Sequence, residues 1–320
     1  MIKYLVITVA LVASAFLAEI ALLSKGGEEI ERAFENFEKT PRPIKTLIIG
    51  HCQASSGIAP AYVGSNVFNF AINDMNYFYT RKMLEQVINK SDLESVVLAI
   101  NPLMFMGRYK LPPYTQRYLW LRKGIAPPLA DLTSVALSFG NHAKLFNDEM
   151  NRIFFKEIVP VNHHLTFSSD VTTAPLQEIK QDTYYLDGFR ALTPSFESDK
   201  KESMLEAWMK NFDFSDEKSE IHELELILTI LKNTSTKTTL LLLPQVAGMQ
   251  ELIEIRKPGT EKKLQDTLSF IRKQFPDARI HDLRSGHNIP DQLFAEPNLI
   301  SSKGADILGL QLRKILNAQK

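Results

Sequence analysis

The sequence predicts an α/β protein built on a parallel sheet. Three observations lead there: short apolar runs closed by glycine, proline or polar residues, helix-period segments between successive runs, and the absence of any internal repeat. The first run is Ile44 to Ile49, stopped by Gly50. Val67 to Ile72 is the second and Ser95 to Ile100 the third, with a helical pattern at Tyr77 to Ile88 between them. Thr238 to Leu243, closed by Pro244, gives a fourth strand and Arg279 to Leu283 a fifth, separated by a helical pattern at Thr260 to Phe275. A helix from Gly304 to Leu316 ends the series. Strands that alternate with helices are joined by crossovers, so they lie parallel with helices on both faces. The expectation is one three-layer domain over residues 44–320, with a long insertion from about Met104 to Asp216.

Ahead of that domain, Lys3 precedes an unbroken run of fifteen apolar or small residues from Tyr4 to Ala18, and Ile20 to Leu23 resumes it after Glu19. About 20 such residues just span a bilayer at 1.5 Å per residue. The reading is a signal-anchor helix over residues 1–24 and a charged, partly helical juxtamembrane stalk over 25–43. A cleaved signal peptide is the rival, because Ala13-Ser14-Ala15 has the small-x-small form, although apolar residues continue beyond it. With Lys3 kept inside, the domain faces outward, which places a single-pass protein in a bacterial inner membrane with its domain in the periplasm or at the cell surface.

Composition removes several classes. Lys and Arg number 37 against 37 Asp and Glu, so no excess positive charge points to nucleic acid. One cysteine, Cys52, excludes an intramolecular disulfide and any cysteine-rich metal site. His163-His164 has no third ligand at a suitable spacing, and no phosphate-cradling glycine motif occurs, so neither a metal nor another cofactor is expected. His142 and His222 sit among polar residues of helical segments. In the insertion, Arg108, Lys110, Arg117, Arg122 and Lys123 alternate with Phe105, Tyr109, Tyr114, Tyr118 and Trp120, without an acid. Such a mixture suits a membrane interface or an anionic glycan or lipid, or a loop whose aromatics pack under the sheet edge.

Ligands of open parallel sheets bind beyond the carboxyl ends of the strands. The residues there are Gly50-His51-Cys52-Gln53, Asn69 to Asp74, Asn101, and, before the last helix, Glu296-Pro297-Asn298-Leu299. Cys52 stands where a helix N-terminus would favour a thiolate, and His51, Gln53, Asn73 and Asp74 are candidates to contact substrate. The opposing reading makes Cys52 a small buried hydrophobe. His51 is a poor base for its sequence neighbour. His287 is the candidate base, with His281 a second.

Ile48-Ile49-Gly50-His51-Cys52-Gln53, Asn69 to Ile72, Ala99-Ile100-Asn101 and Phe294 to Ala305 together resemble the SGNH-hydrolase superfamily, and more narrowly its membrane-anchored, extracytoplasmic branch. The resemblance implies a flavodoxin-like three-layer fold. It puts the nucleophilic serine position on Cys52, the oxyanion glycine on Asn73 or Asp74, the asparagine on Asn101, the aspartate on Glu296 and the histidine on Leu299, with Ala99 where a glycine usually precedes the asparagine. Leucine accepts no proton, so the base of a serine-type mechanism is absent from its place. An α/β-hydrolase nucleophile elbow is the rival fold, but that elbow follows a later strand than the first. The resemblance therefore implies a catalytically degenerate protein that assists acyl modification of an envelope polysaccharide or glycolipid, beside a membrane-bound O-acyltransferase. The alternative is an active acyltransferase or esterase with Cys52 as thiol nucleophile.

Overall fold

The computed structural model describes residues 28–40, 43–90, 92–137, 183–185, 187–194, 196–285 and 288–318. The chain divides into two compact units, residues 33–110 with 162–320, and residues 1–32 with 111–161. Among the described residues no helix is long and apolar enough to cross a membrane, and the run at 4–23 lies outside them.

The larger unit is organised by five parallel strands: β1 (Thr46–Ile49), β2 (Val67–Asn69), β3 (Ser95–Ile100), β4 (Lys237–Leu242) and β5 (Arg279–Asp282). Their spatial order is β2-β1-β3-β4-β5, the doubly wound order with its switch point beside β1. The five segments read as strands are these five strands. The second is shorter than its run, because after Asn69 the chain leaves the ladder while Phe70 N–H still donates to the Ile48 carbonyl at 2.7 Å. Val96 to Ile100 and Leu240 to Leu242 are fully buried, as strands covered on both faces must be, whereas β5 at the edge is half exposed.

Helices α1 (Cys52–Gly57), α2 (Tyr77–Val87), α3 (Ser219–Asn233), α4 (Thr260–Gln274) and α5 (Ser302–Asn317) connect and flank the sheet. Asn76 caps α2 by accepting from Tyr79 N–H, and the buried set Tyr77, Thr80, Met83, Leu84 and Val87 follows the helical period that marked the segment. Within this unit Phe34 and Phe37 are buried edge-on against Phe70 and Phe68, with centroids 5.0 and 5.5 Å apart. The charged segment read as a stalk thus forms the helix Glu28–Lys39 and contributes aromatic side chains to a core.

The smaller unit contains the helices Pro113–Lys123 and Leu129–Leu137. Pro113 opens the first and Gly124, at φ 67°, ends it in the left-handed conformation that glycine takes at little cost. Glu31 accepts from the Tyr118 hydroxyl and pairs with Lys123 at 2.9 Å, and the Arg117 guanidinium donates to the Val135 carbonyl. Tyr118, Leu119, Ile125 and Val135 are buried. The basic-aromatic stretch therefore divides: Arg108, Tyr109, Arg117 and Tyr118 are buried, while Trp120 and Arg122 are exposed.

Candidate functional site

The site lies in the larger unit at the carboxyl ends of β1 and β3. Gly50 follows β1 at φ 134°, and a Cβ there would stand 3.0 Å from both the Cβ and the carbonyl oxygen of Ala99 on β3. Only glycine lets the chain turn so close to its neighbouring strand. His51 then caps α1: its Nδ1 accepts from Gln53 N–H at 3.4 Å, while its Nε2 has no hydrogen-bond partner. Burial pushes the imidazole down to about 4, so it is neutral near pH 7.

Cys52, the first residue of α1, is half-buried. Its side chain packs against an apolar cluster of Leu192, Ala295 and Leu299. Burial, then the carboxylates of Asp74 and Glu296, push the thiol up to about 12, with Arg190 acting in the opposite direction. This corrects the expectation of a helix-assisted thiolate. A six-residue helix has little dipole to offer, and desolvation beside two acids outweighs it.

Cys52, Asn73, Asp74, Glu296 and Leu299 line one cavity of about 230 Å³. Asp74 has φ 57°, a conformation that favours glycine, which is the residue type expected at that place. Asn73 Oδ1 lies 3.0 Å from Ser55 Oγ of α1. Glu296 and Leu299 face each other because Phe294–Glu296 and Leu299–Ile300 form an antiparallel pair with those two residues in register. Residues from three of the four places singled out in the sequence thus meet at one cavity.

Asn101, His51 and Gln53 do not line that cavity. Asn101 Oδ1 accepts from Leu103 N–H at 3.0 Å, capping the short 3₁₀ turn Pro102–Phe105, and its own N–H donates to the Tyr77 hydroxyl at 3.3 Å. Gln53 is buried with its Nε2 unpartnered. His281 is half-buried on β5 and held low by burial and by Arg279. His142, His163, His164 and His287 lie outside the described residues.

Most of the rest of the wall comes from the insertion, which sequence reasoning left unassigned. Arg108–Tyr109 pairs antiparallel with Phe212–Asp213, and Tyr109 lines the cavity. The Tyr109 hydroxyl donates to Asp74 Oδ1 at 2.7 Å. Its backbone is fixed from behind, since Asn76 Nδ2 donates to the Tyr109 carbonyl at 3.0 Å and Glu220 accepts from the Tyr109 and Tyr77 amides, the latter at 2.8 Å. Glu220 is 1% exposed, and burial pushes its carboxyl up to about 8. Arg190, Asn211, and the apolar side chains of Met204, Trp208 and Met249 add to the lining. The only advance signal for Tyr109 was its place in the basic-aromatic stretch.

Chemically, the cavity offers carboxylates, amides, one guanidinium and an apolar wall, with a protonated thiol and no histidine among its described lining residues. No family model matches the chain, and no curated protein matches it. Among solved structures it is similar to a protein from Bacteroides fragilis designated a candidate acylhydrolase, with 8% identity, a TM-score of 0.42, and coverage of 89% of this chain and 94% of that one. A likeness at that level defines no chemistry.

Proposed function

We propose that this chain is a membrane-anchored SGNH-hydrolase-like protein of the bacterial envelope that has lost hydrolytic chemistry and binds, rather than cleaves, an acylated ligand. One observation carries the reading: the side chain at the histidine position, Leu299, belongs to the buried apolar cluster against which the side chain at the serine position, Cys52, packs. Where a triad needs an imidazole within hydrogen-bond reach of the nucleophile, this chain has a leucine in an apolar cluster. The high-lying thiol supports the same reading and weighs against the alternative of a thiol enzyme. The sheet order 2-1-3-4-5 and the meeting of Cys52, Asp74 and Glu296 at its end support the superfamily resemblance.

In this proposal residues 4–23 hold the protein in the inner membrane with its domain outside, and the protein assists acyl modification of an envelope polysaccharide or glycolipid beside a membrane-bound O-acyltransferase. The cavity takes a short acyl group and the sugar hydroxyl that carries it: Met204, Met249 and Leu299 suit the former, and Asn73, Asp74 and Glu296 the latter. The test uses the full chain with Trp120→Phe, which leaves cavity-lining Trp208 as the sole tryptophan. O-acetylated envelope oligosaccharides should give a saturable change in Trp208 emission with no acetate released. Acetate release abolished by Cys52→Ala, or no response to any acylated glycan, would overturn the proposal.

A further inference from the structure

The smaller unit presents an edge that the cavity does not use. Trp120 and Leu121, at the end of the helix Pro113–Lys123, are 37% and 56% exposed, and Leu129, at the start of the next helix, is 88% exposed. Arg122 is exposed between them, and the turn that joins the helices carries exposed Gly124 and Ala126. Three large exposed apolar side chains lie within ten residues across the junction of the two helices, with a cation among them and no acid from Leu119 to Ala130. Exposed tryptophan and arginine at one helix junction match the headgroup level of a bilayer, where an indole and an alkyl stem are buried while the charge stays at the phosphates.

The same helix is tied to the chain just beyond the apolar run. Glu31 accepts from Tyr118 and pairs with Lys123, both within this unit. Leu23 ends the run and Glu28 is the first described residue of its helix. Five residues reach no farther than about 17 Å. The helix junction is therefore tethered close to wherever residue 23 leaves the bilayer.

We infer that Trp120, Leu121 and Leu129, with Arg122, insert into the outward-facing surface of the membrane bearing anionic headgroups, giving the protein a second, interfacial contact. The inference rests on the membrane-anchored reading above. An inserted contact beside the anchor restrains how the outer part of the protein can tilt, which a single anchoring segment does not. The arginine makes the contact depend on anionic lipid and on salt.

The experiment uses the full chain with Trp208→Phe, leaving Trp120 as the sole tryptophan, in lipid nanodiscs. Discs containing phosphatidylglycerol and acyl chains brominated near the headgroup should quench Trp120 emission several-fold relative to unbrominated discs, with a blue shift against the protein in denaturant. Leu121→Asp with Leu129→Asp should abolish the quenching, and Arg122→Glu should weaken it most at low salt. If the protein incorporates into discs and Trp120 remains unquenched, the inference fails while the anchor stands. If it does not incorporate at all, the anchored reading fails, and the inference with it.

Discussion

The reactivity of Cys52 can be predicted in magnitude. An ordinary thiol with a pKa near 8.5 is about one-tenth thiolate at about pH 7.5. With the Cys52 thiol pushed up to about 12, the fraction falls to roughly 3 in 10⁵. Alkylation proceeds through the thiolate, so carboxamidomethylation by iodoacetamide should be about 3 × 10³-fold slower than for free cysteine. The assay follows the single adduct by intact mass, which is unambiguous because the chain has one cysteine. Its rate should climb about tenfold per pH unit throughout the range in which the protein stays folded. Asp74→Asn and Glu296→Gln should each raise the rate, but by less than the total suppression, because burial is the larger cause. A rate within about tenfold of free cysteine, or a plateau below about pH 9, would refute the reasoning.

Other outcomes follow from the same structure. Glu220 has its folded pKa raised to about 8, so the folded state holds a proton that the unfolded chain releases above its ordinary pKa near 4.5. Stability from this group is present at low pH and is lost as pH rises toward 8. His51, lowered to about 4, acts oppositely and only below its ordinary value of 6.5. Between about pH 6.5 and 8 the wild type should therefore lose stability in urea titrations while Glu220→Gln stays flat, and parallel curves would contradict the assignment. Gly50→Ala should cost about 1–3 kcal/mol, since alanine at φ 134° is strained and its Cβ would press on Ala99; an unchanged denaturation midpoint would show that the turn relaxes freely. Leu299→His should cost about 1–3 kcal/mol by placing an imidazole in the apolar cluster with Leu192 and Ala295, and by itself should confer no esterase turnover.

The sheet was legible because its inner strands are buried on both faces and so read as continuous apolar runs, closed after β1, β3 and β4 by Gly50, Asn101 and Pro244. The meeting of Cys52, Asp74, Glu296 and Leu299 was legible for a related reason: each directly follows a strand or precedes the last helix, and the doubly wound topology sends all such residues to one end. Tyr109, Arg190 and Trp208 were not, because they reach the cavity through two-residue strand pairs and short helices far apart in sequence, below the length at which periodicity carries a signal. Nor was the state of the Cys52 thiol. Its position suggested an activating helix terminus, but its pKa is set by burial and by two carboxylates that only the fold brings near. Asn101 shows the converse, a residue correctly placed at a strand end whose side chain is spent on capping the turn that follows.

The central claim, that this site binds without cleaving, is tested most directly by incubating the full chain with an excess of an activated acetyl ester and recording intact mass and product together. The account predicts no acetyl adduct on Cys52 and release indistinguishable from the Cys52→Ala protein. Repeated turnover that Cys52→Ala abolishes, or a stoichiometric adduct on Cys52 formed at neutral pH, would contradict it.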